Sequence, residues 1–197
     1  MRMRLVASVI ACNSVIALAG CGTGTSTAPE PARPSSTQAA SPIPPVKSPR
    51  DVAALARRPC ELLTSQQASG FELDLPPKQL DGVLGNLNCE WTRTTREREV
   101  LRQVIISTFT NNPTLEVVYR REHGRPFFEL TEIAGYPAIV TRSNPNLPHC
   151  NIDVKTAEDQ SVSLSYDSKE FKNNPQQACE VGKQVAAAVL MNLPLKG

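Results

Sequence analysis

Residues 18 to 21, Leu18-Ala19-Gly20-Cys21, carry the most definite chemistry in this sequence. An apolar branched side chain, two small residues and a cysteine form a lipobox. The small residues fit the narrow site of a lipoprotein signal peptidase, and only the thiol can receive a thioether-linked diacylglycerol. The spacing therefore predicts cleavage between Gly20 and Cys21 and lipid attachment at Cys21. The segment before it suits export: Arg2 and Arg4 give positive charge, and Leu5 to Ala19 is small or apolar apart from Ser8, Cys12, Asn13 and Ser14. That run falls short of the ~20 apolar residues of a spanning helix and matches a signal-peptide core. Val9-Ile10-Ala11-Cys12 is a looser lipobox, but it would leave an apolar core of only about seven residues, so Cys21 is preferred. The glycines around Cys21 are not a phosphate loop, since no strand precedes them and no helix follows. A diacylglyceryl group brings two or more chains, at about 0.8 kcal/mol per buried methylene, enough for stable anchoring. The expected location is the extracytoplasmic face of a cell membrane, held by lipid.

With Cys12 removed and Cys21 acylated, Cys60, Cys89, Cys150 and Cys179 remain. An even number in an exported domain points to disulfides, and four cysteines allow three pairings. Cys60–Cys89 and Cys150–Cys179 are favoured, since each would join a helical segment to the start of a strand within one half of the domain. A metal site is disfavoured: there is no Cys-x-x-Cys, and only His123 and His149 are available to complete a tetrahedral set. No cofactor is expected.

A catalytic site needs a base within reach of a nucleophile or a metal. His123 lies at a polar helix end, where a positive side chain suits the dipole. His149 follows Pro148 in a loop with nothing adjacent to orient it. Ser161, Ser163 and Ser165 are expected to face outward on a strand, outside any Gly-x-Ser-x-Gly elbow. The acid pairs Glu97/Glu99 and Glu158/Asp159 lie in turn-like segments. The chain is accordingly expected to be non-enzymatic. Arginines are unevenly placed, with Arg93, Arg96, Arg98 and Arg102 on one hairpin and Arg120, Arg121 and Arg125 beyond it. They could meet an anionic head group, cell-wall phosphate or acidic partner; the preferred reading is a solvated face neutralised by Glu97, Glu99 and Glu122. Trp91 is expected in the core, against a disulfide. Removing the signal takes Arg2 and Arg4, so 21 basic residues become 19 against 19 acids, without the basic excess that nucleic-acid binding needs.

The rest of the chain must position these residues. Thr23 to Pro49 is rich in Thr, Ser, Ala and Pro, with seven of the chain's 17 prolines and one acid, Glu30. Such a stretch has too little apolar mass to offset chain entropy and reads as an extended spacer. The organisation expected is a signal peptide over 1–20, a lipidated cysteine and disordered tether over 21–50, and one globular domain over 51–197. Within it, Ser48-Pro49 predicts a short helix ending near Arg58. Thr64-Ser65-Gln66-Gln67 predicts a capping box and a helix ending at Gly70. Strands are predicted at 89–93, 101–109, 127–133, 136–141, 150–154 and 161–166, a helix from Pro113 to Arg121, and a last helix capped by Asn174. The strands at 150–154 and 161–166 put apolar groups on one face only. The fold class is α+β: a twisted antiparallel sheet of five to six strands with N- and C-terminal helices packed on it.

Pro59-Cys60-Glu61-Leu62-Leu63-Thr64, Cys89-Glu90-Trp91, Gly135-Tyr136-Pro137-Ala138, Cys150 opening a strand and Cys179 in a C-terminal helix together resemble one family. It is the actinobacterial lipoprotein family catalogued as domain of unknown function 3558. The resemblance runs from the lipobox to the last helix. It implies location and architecture, with a Mog1/PsbP-like fold by analogy, and lends no activity. Three functions compete: a binding or accessory module for an envelope protein or small ligand, an envelope hydrolase or transferase, and a lipid carrier with a large apolar cavity.

Overall fold

The computed structural model describes residues 41–197, apart from 84 and 112–114. Gly20, Cys21 and the linker as far as residue 40 lie outside the described residues. The described residues belong to a compact unit running from Ala39 to Gly197.

Seven strands, among the described residues, make one antiparallel sheet: β1 (Lys78–Asp81), β2 (Leu87–Thr94), β3 (Val100–Phe109), β4 (Phe128–Ile133), β5 (Tyr136–Thr141), β6 (His149–Ala157) and β7 (Gln160–Ser168). Their order across the sheet is β1-β2-β3-β7-β6-β5-β4. Two meanders, β1 to β3 and β4 to β7, thus meet where β7 pairs with β3. The chain must cross from the middle of the sheet to its far edge between β3 and β4, and helix α2 (Leu115–Glu122) lies on that crossing. The strand β1 corrects the expected five to six strands. Its sequence, Lys-Gln-Leu-Asp, has a single apolar residue and is almost wholly exposed, so it carries no alternation. As an edge strand it needs only one neighbour, β2, for its ladder.

Local chemistry explains the other elements. Helix α1 (Ser65–Gly70) starts at Thr64, whose hydroxyl accepts from the Gln67 amide while the Gln67 side chain accepts from the Thr64 amide, the full capping box. The β4–β5 hairpin turns on Ala134 and Gly135, both at positive φ (50° and 83°), the backbone that a two-residue turn between twisted strands requires. Helix α3 (Pro175–Asn192) has Pro175 in its first turn and Asn174 at the cap position, although no side-chain bond closes that cap.

One sheet face is sealed. Cys89, Trp91, Val104, Ile106, Ile152, Val154, Val162, Leu164 and Tyr166 alternate onto it and meet Leu62, Ala178, Val185, Ala186 and Val189 in one buried cluster. Gly182 lets α3 come down directly on the strands: a Cβ there would stand 2.7 Å from Ile152 Cδ1 and 3.3 Å from Tyr166 Cβ. Disulfides pin both sides of this layer. Cys60, in a 3-10 turn at Pro59–Glu61, bonds Cys89 of β2, and Cys150 of β6 bonds Cys179 of α3, the pairing favoured from the sequence.

The helix expected from Ser48 to Arg58 does not form. Arg50 is held extended in a bridge with Leu195, its amide donating to the Thr156 carbonyl at 2.9 Å and that of Asp51 to Pro194 at 2.9 Å. The buried Val52 amide donates to the Gln160 side chain at 2.6 Å. Residues 52 to 58 instead follow turns closed by bonds between residues three apart. The globular body also starts before residue 51. Ile43 is buried with Leu115, Val118 and Ile139 on the opposite sheet face, and Val46 packs on the main core. Proline-rich composition masks this docking, which rests on two isolated apolar side chains.

Candidate functional site

Among the described residues, the second face of the sheet is covered where α2 lies, through the cluster of Ile43, Leu115, Val118 and Ile139. The register fixes what stands beside it. Because Cys150, Ile152 and Val154 point to the core, Asn151, Asp153 and Lys155 point the other way. The ladder sets Asn151 opposite Ser165, Asp153 opposite Ser163 and Lys155 opposite Ser161. Lys155 is buried beneath α2 and bonds Glu116 at 2.8 Å and Glu158 at 3.0 Å. Burial pulls its ammonium pKa down, but those two carboxylates outweigh it and hold it above the ordinary lysine value. This pairing fixes the start of α2 on the sheet. It also aims the other end of the helix over Asp153.

There a cleft of about 310 Å³ opens, lined by Arg121, Glu122, Arg125, Thr141, Arg142, Ser143, Asn151, Asp153 and Ser163. Glu122 spans two guanidiniums, Arg121 at 2.6 Å and Arg125 at 3.0 Å. Arg142 lies over the Phe127 ring, 4.5 Å from its centre, and donates to the Pro145 carbonyl at 3.3 Å. Asp153 is the unusual member. Burial pushes its carboxyl above the ordinary range, while a hydrogen bond from Ser163 and the charge of Arg121 pull it back and Glu122 raises it further. Three guanidiniums, a recessed carboxylate, an amide and several hydroxyls can hold a small polar ligand at many points.

Neither histidine enters this cleft. His123 stacks on Tyr119, ring centres 4.7 Å apart, with the Phe128 ring edge-on at 5.5 Å; its surroundings are aromatic as well as helix-terminal. His149 stands beside a carboxylate, its Nδ1 3.8 Å from Asp167, outside the cleft. Ser163 and Ser165 lie on the open face as expected, whereas Ser161 is buried. Trp91 is in the sealed core beside Cys89.

The arginines divide by fold and not by hairpin. Arg93 and Arg102 are neutralised by Glu72 and Glu170, with Arg93–Glu72 at 2.6 Å and Arg102–Glu170 at 2.7 Å. Arg102 is nearly buried and also donates to the Phe71 carbonyl. The expected acid Glu99 instead pairs with Lys169 at 2.9 Å. Glu122 does serve Arg121 and Arg125. Of the cleft residues, Arg121, Arg125 and Ser163 stand out in the sequence, whereas Arg142, Asn151 and Asp153 do not. The alternation that put Cys150 and Ile152 inward could have placed Asn151 and Asp153 on the open face.

Among the described residues no cluster of His, Cys, Asp or Glu could hold a metal ion, and no helix is long and apolar enough to cross a membrane. No curated protein and no solved structure matches the chain. Residues 16–192 match the model of a protein family of unknown function, DUF3558, and with most of its 197 residues covered the chain belongs to that family.

Proposed function

We propose that this chain is a lipid-anchored, extracytoplasmic module of the cell envelope that binds a small ligand or a protein and catalyses nothing itself. The lipobox at Leu18 to Cys21 supports the anchor. Two disulfides in a domain of this size suit an oxidising compartment. The balance of 19 basic and 19 acidic residues after cleavage argues against nucleic acid as partner. An architecture like that of Mog1 and PsbP remains the fold analogy that fits an antiparallel sheet with flanking helices.

The binding role rests on one observation, the polar cleft around Asp153. A half-buried carboxyl held above the ordinary range by its surroundings is of the kind that gathers at functional sites. The lipid-carrier reading fares worse: α3 sits on the sheet too closely at Gly182 to leave room for acyl chains between them. The hydrolase reading loses its candidate base, since His149 lies outside the cleft.

The anchor is tested by Cys21→Ala, which should abolish palmitate labelling and release the chain from membranes; a variant still labelled and still bound would refute it. The binding role is tested by purifying the full chain and an Arg121→Glu/Arg142→Glu variant from envelopes, followed by mass spectrometry of retained molecules. A ligand held by the first and lost from the second is expected; identical retention would remove the cleft from the proposal.

A further inference from the structure

We infer that the cleft between the end of α2 and the open sheet face takes an acidic sugar, a ring bearing both a carboxylate and neighbouring hydroxyls. This deepens the proposed binding role and rests on it. Two halves of the cleft ask for two different ligand groups. On the rim, Arg121 and Arg125 share the single carboxylate Glu122, and Arg142 is held by an aromatic face and a carbonyl, neither of which neutralises it. Three guanidiniums against Glu122 and Asp153 leave at least one positive charge over, and a planar fork favours a carboxylate or phosphate. On the floor stand Asp153, Asn151, Thr141 and Ser163. An ionised carboxylate accepts hydrogen bonds and offers none, so it meets ligand hydroxyls well and repels a second anion.

Inorganic phosphate satisfies the rim but sets its charge against Asp153. A neutral sugar satisfies the floor and leaves the rim charge unanswered. A carboxylate-bearing ring answers both. The volume of about 310 Å³ is at the small end for ligand pockets, about 300–1,000 Å³, which limits the recognised part to about one ring. Ser163 stands directly opposite Asp153 in the ladder, so a hydroxyl and the carboxyl share the floor.

The test is titration of the full chain, purified in detergent, with glucuronate, glucose, acetate and inorganic phosphate, followed by calorimetry. Glucuronate should bind at least about tenfold more tightly than the other three. Arg121→Ala/Arg125→Ala should weaken glucuronate about tenfold or more while the melting temperature stays near that of the parent chain. Asp153→Asn should weaken glucuronate but not acetate, because acetate has no hydroxyl for the floor to read and loses a repelling charge. Phosphate or glucose binding as tightly as glucuronate would overturn the assignment, and so would equal weakening of acetate and glucuronate by Asp153→Asn. If no probe binds while Cys21 still takes palmitate, the acidic-sugar assignment falls and the anchor stands. If glucuronate binds but Cys21 takes no lipid, the reverse holds.

Discussion

The two faces of the sheet are made by the same strands and have opposite contents. On one, Trp91, Ile106, Ile152, Leu164 and Tyr166 pack under α3 and a pair of disulfides. On the other, most intervening residues of those strands are polar, and Asn151, Asp153, Ser163 and Ser165 are only partly covered. Stability is concentrated on the first face and chemical variety on the second. A period of two along each strand lets one segment serve both purposes, since every second side chain can be chosen without disturbing its neighbours. Asp153 sits between Ile152 and Val154, which are buried on the far side.

Substitutions on the two faces should therefore differ in size and even in sign. The largest effect is expected from Trp91→Ala, which would empty the centre of the sealed face and cost about 3–5 kcal/mol, measured by chemical denaturation. Breaking Cys150–Cys179 with paired alanines should follow, at about 2–5 kcal/mol, and a reductant should cost the parent chain more than the variant, which keeps only Cys60–Cys89. Gly182→Leu should cost about 1–3 kcal/mol by forcing α3 off Ile152 and Tyr166; unchanged stability would mean that the helix can lift without penalty.

Asp153→Asn should act in the opposite direction. A carboxyl whose pKa is raised in the folded state binds its proton more tightly there than in the unfolded chain. The protein then loses stability as pH climbs from the ordinary value of 3.8 through the raised one. The asparagine variant should melt higher than the parent at neutral pH, and the gain should vanish below pH 3.8. A destabilised variant at neutral pH would show that the Ser163 and Arg121 contacts outweigh burial. The smallest effect is expected from Arg121→Ala, an exposed member of an ion pair, at about 0–1 kcal/mol in stability. Its consequence should be confined to binding.

Much of the sealed face is legible in the sequence. The capping box at Thr64, the alternation at 150–154 and 161–166 and the stripe of the last helix are local patterns, each contained in a few turns or a single strand. The four cysteines needed only the assumption that each pair stays within its half of the domain. The parts that escaped lack a local pattern. β1 is polar because an exposed edge has no core to face. Residues 43 to 50 look like linker because Ile43 is one apolar side chain among prolines, and only its distant partners Leu115, Val118 and Ile139 give it a place. The cleft gathers ordinary residue types from α2, β5, β6 and β7, and nothing in their spacing distinguishes them from solvated surface. The arginine pairings were hidden for the same reason, since Arg93 and Arg102 find their acids at Glu72 and Glu170, far along the chain.

The bridge between Arg50 and Leu195 has a mechanical meaning if the domain is held, as proposed, by its N-terminal segment. The Arg50 side chain also bonds the Tyr136 hydroxyl at 3.0 Å and the Leu193 carbonyl, and Tyr136 in turn donates to the Ser48 carbonyl at 2.7 Å. Tension entering from the N-terminal side would first have to unseat Ile43 and would then load this group of bonds together. The force would pass into β5 and the segment after α3, at the sealed face. Because Ile43 packs against Leu115 and Val118 of α2, the same pull would reach the helix whose far end carries Arg121 and Glu122 at the cleft.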